Sequence, residues 1–170
     1  MPNYRRLFVP GSTYFITQVT YQRYHWLCRD RARAALRAAI TQVRKNHPFQ
    51  IEAFVLLPDH FHCLWTLPEG DSDFSTRMRL VKTYVTRHHS HEIGLDLGIS
   101  LSRRKRKEQN LWQRRFWEHR VRDEADLVRC CDYIHRNPVK HGFCAEPTDW
   151  RFSSVHRWIA RGDFGDWGGN

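Results

Sequence analysis

Two short stretches hold residues whose types and spacing can do chemistry. In LPDHFHCLW (57–65), His60 and His62 stand two apart within an apolar run. On a strand, alternation puts His60, His62, Leu64 and Thr66 on one face and Phe61, Cys63, Trp65 and Leu67 on the other, which reads as the core face. Both imidazoles then lie off the core face with adjacent side chains, the spacing two ligands of one metal ion need. A pair of structural, hydrogen-bonded histidines satisfies the same pattern. In DYIHRNPVKHG (132–142), Tyr133 and Asn137 are four apart. On a helix they share a face, so a phenol and an amide carbonyl can point at one site. The plainer readings are a boundary tyrosine and a helix C-cap, and Asn137 precedes Pro138, which biases its backbone away from helix.

Positioning these groups requires a strand for the histidines and a helix for the tyrosine, and both are legible. Thr13 to Tyr21 is dense in β-branched and aromatic residues, as a strand requires. From Asp30, a candidate N-cap, Ala32, Ala35, Leu36, Ala39, Ile40 and Val43 repeat at helical steps until Pro48 stops the pattern. Ile51–Leu57 and His60–Leu67 are apolar runs joined at Pro58 and Asp59, a hairpin of central strands. Met78, Val81, Val85 and His88 mark a second helix, with Arg77, Arg79, Lys82 and Arg87 as its basic face. Leu111 to Arg122 is strand-like. A third helix spans 124–137, with Asp123 and Asp126 resembling a capping box, Leu127, Cys131 and Ile134 as its apolar stripe, and Pro138 as its end. This order predicts a ferredoxin-like α/β sandwich (α+β, RRM-like), an antiparallel sheet with helices packed on one face. A single domain over 1–150 is expected, followed by a basic, aromatic tail over 151–170.

The chain has 170 residues, 41% of them apolar, enough for one core. Lys and Arg number 28 against 18 Asp and Glu, a formal charge of +10 that favours a polyanionic partner, nucleic acid before membrane. The basic run at 103–107 is either a solvated loop or a phosphate contact. Five cysteines without a C-x-x-C pair read as free thiols in a reducing compartment and argue against a zinc finger. With neither a signal peptide nor a membrane-length apolar run in view, a cytoplasmic, nucleoid-associated protein is expected.

His60-Phe61-His62 followed by one helix-borne tyrosine with a polar residue four positions on resembles the HUH single-tyrosine transposases. The strings YRR near the start, LPDHFHCLWTLPEGDSDFS, WQRRFWEHRVRDEADL and DYIHRNPVKHG...DWRFSS resemble the REP-associated tyrosine transposases, the bacterial branch linked to repetitive extragenic palindromes, over about residues 4–160. The resemblance implies metal-dependent cleavage and joining of single-stranded or hairpin DNA at REP palindromes. Tyr133 would be the nucleophile, forming a 5′-phosphotyrosine, and His60, His62 and Asn137 would be ligands of Mg²⁺ or Mn²⁺. A second tyrosine, frequent in the family two residues after the nucleophile, is replaced by His135. A two-residue step turns His135 about 200° from Tyr133, away from the metal.

Arg5, Arg6, Arg114 and Arg115 are candidate DNA contacts, since they lie in family-like segments beside aromatics able to stack on unpaired bases. Glu118 and His119 are candidates to support the metal or contact DNA. Lys140 and His141 are candidate proton acceptors, or residues of an exposed turn. The rival reading is a non-catalytic REP-hairpin-binding protein. A replication initiator or relaxase is disfavoured by length. No membrane partner is expected, and both monomer and homodimer fit.

Overall fold

The structure, a computed structural model, describes residues 7–93 and 111–162. Arg5, Arg6, the 103–107 run and the last residues of the expected tail lie outside the described residues. The elements are β1 (Thr13–Val19), α1 (Asp30–Asn46), β2 (Gln50–Leu56), β3 (His60–Thr66), α2 (Phe74–Ile93), β4 (Trp117–Arg120), α3 (Glu124–Lys140) and α4 (Val155–Arg161). The sheet runs β2-β3-β1-β4 with every neighbouring pair antiparallel. This is the ferredoxin-like order: the β2–β3 hairpin stands beside β1, and the strand after α2 returns to the other side of β1. Among the described residues no helix is long and apolar enough to cross a membrane.

One face of the sheet carries the expected core. Phe61, Cys63 and Trp65 of β3 pack with Tyr14 and Ile16 of β1 beneath Ala35, Leu36 and Ala39 of α1 and Met78, Val81 and Val85 of α2. The expectation that all helices share this face needs correction for α3. Its Cys131 and Ile134 pack with Phe15, Ala53, Val55, Leu57 and Leu64 on the opposite face. The physical reason lies in the sheet's second face: it carries Phe15 of β1, Ala53 and Val55 of β2 and Leu64 of β3, which would stand in water without α3. Burial there extends to His60 and His62, each 4% exposed.

Asp123 caps α3 as expected, accepting from the Asp126 backbone N–H at 2.8 Å. The Asp126 side chain does not return the bond to close a box; it turns to His119, Arg122 and Arg129. Nor does Pro138 end α3, which continues to Lys140, because a proline in the last turn forfeits only one bond while His141 N–H still reaches the Asn137 carbonyl at 3.1 Å. Asn137 therefore stays helical and keeps the face of Tyr133. On α2, Arg77 leaves the basic face: it is 1% exposed, and its guanidinium donates to Asp71 (2.6 and 3.1 Å) and to the carbonyls of Asp73 (2.8 Å) and Pro48 (2.9 Å).

The start of the expected tail is a structural strap. Ser154 N–H donates to the Phe54 carbonyl and its Oγ accepts from the Phe54 N–H, both at 2.8 Å, so residues 152–154 line the free edge of β2. Trp150 and Trp158 donate to the carbonyls of Leu56 and Glu52, each at 2.9 Å. His135, 2% exposed on α3, joins the strap through Ser154 Oγ at 3.0 Å and packs edge-on to Trp158.

Burial pushes the His135 pKa down from 6.5 to about 4, so the folded protein holds it neutral. Between those values the unfolded chain binds more protons than the folded one, so stability rises with pH through about 4 to 6.5 and is lost on acidification across that window. His135→Gln should flatten this slope, removing on the order of 3 kcal/mol of acid sensitivity. Urea denaturation at pH 4.5 and pH 7.0 checks it; identical pH dependence in both proteins would refute the assignment.

Candidate active site

The second face of the sheet is left open beside α3 as a cleft of about 600 Å³ whose walls include His60, His62, Trp117, His119, Tyr133 and Lys140. The register explains who meets whom. Thr17 of β1 lies opposite His62 on one side and Trp117 on the other, while Phe15 lies opposite Leu64 and His119. Residues paired across antiparallel strands share a face, so these side chains stand with the histidines. Glu118 pairs with Ile16 and therefore faces α1 and α2, 4% exposed. Glu118 is thus on the wrong face to support the histidines, whereas His119 is on theirs.

The rings of His60 and His62 are 4.8 Å apart, and those of His62 and Tyr133 5.3 Å. Phe15 packs against both His62 (5.4 Å) and Tyr133 (5.7 Å), fixing the two rings to a common apolar support. Tyr133 is 41% exposed at the cleft. Lys140 Nζ stands 5.0 Å from the centroid of the Tyr133 ring, two turns on along α3, and His141 lies 5.1 Å from His60. The four residues singled out by spacing, with Lys140, are thus brought together by α3 crossing the sheet.

Each histidine is held through Nδ1. Asp59 Oδ1 is 2.6 Å from His60 Nδ1, and because a carboxylate only accepts, that nitrogen is the donor and Nε2 is the one turned away from the carboxylate. Thr17 Oγ1 is 2.7 Å from His62 Nδ1. Asp59 is braced in turn by Arg23 at 2.8 Å. Gln22 and Arg23 adopt left-handed backbone (φ 50° and 56°), a strained turn that carries the Arg23 guanidinium over the cleft. Burial pushes the Asp59 carboxyl up, but its bonds to His60 and Arg23 prevail and hold it below the ordinary carboxylate range. Burial, with His60 and His141 nearby, brings His62 down to about 3, so His62 is a neutral donor at physiological pH.

A divalent cation fits this arrangement. His62 Nε2 and the Asn137 side-chain oxygen and nitrogen are buried without a hydrogen-bond partner, and Asn137 is fully buried. Such orphaned atoms carry a desolvation cost that coordination would remove. A second group, His119, Asp126 and Cys130, places ligand-capable atoms within 4.8 Å of one another. Its chemistry suits a metal less. Asp126 already faces His119 (2.7 Å), the Arg122 Nε (3.2 Å) and Arg129 (3.4 Å), and burial and Asp126 push the Cys130 thiol up to about 11.

Arg114 and Arg115 are exposed on the approach to β4, outside the cleft; the arginines that line it are Arg23 and Arg129. Sequence reasoning missed Thr17, Arg23, Asp59 and Asp126 as supports and Trp117, 56% exposed, as part of the wall. A signal existed for Asp59, which directly precedes His60. None existed for Thr17, whose role depends on register.

Residues 9–137 match the family model for IS200-like transposases. A REP-associated tyrosine transposase of Escherichia coli K12 is 43% identical over the whole of this chain and 93% of its own length. A relative from Haemophilus influenzae Rd is 41% identical over the whole chain and 95% of its own length. Among solved structures, that of a REP-associated tyrosine transposase bound to a REP hairpin superposes with a TM-score of 0.80 at 42% identity, covering all of this chain and 93% of that one. A histidine pair and a helix-borne tyrosine meeting on one sheet face, in a chain so similar over its full length to these proteins, make it a member of the REP-associated tyrosine transposases within the IS200-like transposase family.

Proposed function

We propose that the protein cleaves and rejoins single-stranded DNA at REP-type palindromic hairpins through a 5′-phosphotyrosine at Tyr133, using Mg²⁺ or Mn²⁺ held by His60, His62 and Asn137. The observation that carries this reading is the half-exposed Tyr133 phenol beside a buried histidine pair, with His62 Nε2 and the Asn137 amide buried and without a hydrogen-bond partner. When bound, the cation supplies Lewis-acid charge compensation at the scissile phosphate. Tyr133 Oη attacks phosphorus in line, the bond from phosphorus to the 3′-oxygen breaks, and the departing oxygen takes up a proton to become a free 3′-hydroxyl. The phosphodiester is exchanged for a phosphotyrosyl ester rather than hydrolysed, so a second 3′-hydroxyl can reverse the step and join strands without ATP. Lys140, whose Nζ stands 5.0 Å from the centre of the Tyr133 ring, offsets negative charge developing on the phenolic oxygen, and the phenolic proton passes to solvent as that oxygen attacks.

A hairpin-bound relative of the same fold supports a REP-hairpin partner for this chain. Trp117 and Tyr133 offer exposed rings on which unpaired bases at the hairpin foot can stack. The direct test incubates protein, Mn²⁺ and a hairpin oligonucleotide carrying a single-stranded foot, then resolves the mixture under denaturing conditions. A covalent protein–DNA band is expected; tight hairpin binding with no band under any divalent metal would favour a non-catalytic binder. Lys140→Gln should slow adduct formation by on the order of tenfold while leaving hairpin affinity within about threefold. An unchanged adduct rate would remove Lys140 from the reaction.

A further inference from the structure

On the far side of the sheet from the cleft, α1 and the strap at the edge of β2 enclose a groove of about 500 Å³. Arg33, Arg37 and Arg44 line it from α1, and Arg151 and Arg157 from the strap. We infer that this groove binds the sugar–phosphate backbone of double-stranded DNA, apart from the strand engaged by the cleft; the inference rests on the reading of DNA as the partner.

Charge alone would describe an ordinary solvated surface. What distinguishes this one is how the guanidiniums are held. Arg44 Nε donates to the Phe49 carbonyl at 2.9 Å, and Arg157 to the carbonyls of Ile51 (2.8 Å) and Glu52 (2.9 Å). Arg33 and Arg151 stand over the Phe152 ring, 4.4 and 4.9 Å from its centroid. Neutral carbonyls and an aromatic face thus fix four arginines in place without cancelling their charge. Among the described residues only Arg33 also pairs with a carboxylate, the largely exposed Asp30. Fixed, uncompensated guanidiniums are what phosphate recognition uses, since less side-chain entropy is lost on binding.

The form of the groove selects duplex over single strand. Arg33, Arg37 and Arg44 fall four and eleven residues along one helical stripe, a straight row of about 16 Å, matching roughly five base-pair steps at 3.4 Å. Unpaired bases need exposed rings, and Phe152, the ring here, is half-buried beneath two guanidiniums. Exposed rings are instead found in the cleft at Trp117 and Tyr133. The two surfaces divide DNA by form.

The test compares Arg37→Ala/Arg151→Ala with Arg37→Lys/Arg151→Lys and with a charge-matched control outside the groove, Arg31→Ala/Lys45→Ala. Two probes are titrated over a range of salt: a blunt 20-bp duplex, and a short unpaired oligonucleotide spanning the cleavage site. The alanine pair should lose at least tenfold in duplex affinity, and its slope of log K against log salt should fall by roughly two. The lysine pair should stay within threefold of wild type, and cleavage of the short oligonucleotide within twofold for every variant. Duplex affinity within twofold of wild type in the alanine pair, a loss no greater than the control's, or no duplex binding by wild type would each overturn the proposal. A wild-type protein that shows the duplex dependence yet never forms an adduct would leave the groove standing and sink the catalytic reading; adduct formation without duplex dependence would do the reverse.

Discussion

Tyr133→Phe should abolish the covalent protein–DNA adduct, a loss on the order of 10⁵-fold or more, as when a covalent enzyme loses its nucleophile. Only an oxygen is removed. The ring keeps its edge-on packing with Phe15 and His62, so the wall of the cleft is preserved. With 41% of Tyr133 exposed, fold stability should change by less than about 1 kcal/mol. Hairpin affinity should stay within about threefold, because phosphate contacts from arginines do not involve the phenol. The variant thus separates binding from chemistry: equal affinity with no adduct is expected. An adduct that persists would transfer the nucleophile elsewhere, and loss of both binding and adduct would indicate damage to the cleft rather than to the reaction.

His62→Ala should lower the adduct rate on the order of 10³-fold, the scale of several kcal/mol of charge stabilisation at the phosphate. Excess chelator should produce the same loss in wild type, reversed by Mn²⁺ or Mg²⁺. Asn137→Ala should act in the same direction, while Asn137→Asp, which keeps a side-chain oxygen, should retain more activity than the alanine variant. The competing location for the cation is the group of His119, Asp126 and Cys130. Calorimetric titration with Mn²⁺ distinguishes them: binding should disappear in His60→Ala/His62→Ala and persist in Cys130→Ala. The opposite pattern would move the metal to the second group. Thermal melts on each variant guard against misfolding, since His60 and His62 are buried beneath α3.

Much of the fold was legible because its signals are local. The helical spacing of Ala32, Ala35, Leu36, Ala39 and Val43 and the core-facing alternation of Phe61, Cys63 and Trp65 both match the buried set. Pro138 misled for a physical reason: it penalises a helix interior strongly, but in the last turn it costs one bond, and Asn137 stays helical. Arg77 departs from the basic face because helical periodicity places a residue on a face without revealing that Asp71 waits to pair with its charge and two carbonyls to accept its hydrogen bonds.

By itself the sequence determined which groups are available for chemistry: an alternating pair of histidines, a tyrosine and an amide one helical turn apart, and a surplus of arginine. Only the tertiary structure decided which of them meet. Strand pairing, set by cross-strand side-chain packing, puts Thr17 and Trp117 beside His62 and turns Glu118 away. The crossing of α3 over the second sheet face, driven by burial of Cys131 and Ile134, brings Tyr133 to 5.3 Å from His62 across 71 residues of chain. Those contacts are invisible to local spacing because they depend on packing between elements remote in the chain, which only burial of the shared apolar surface selects.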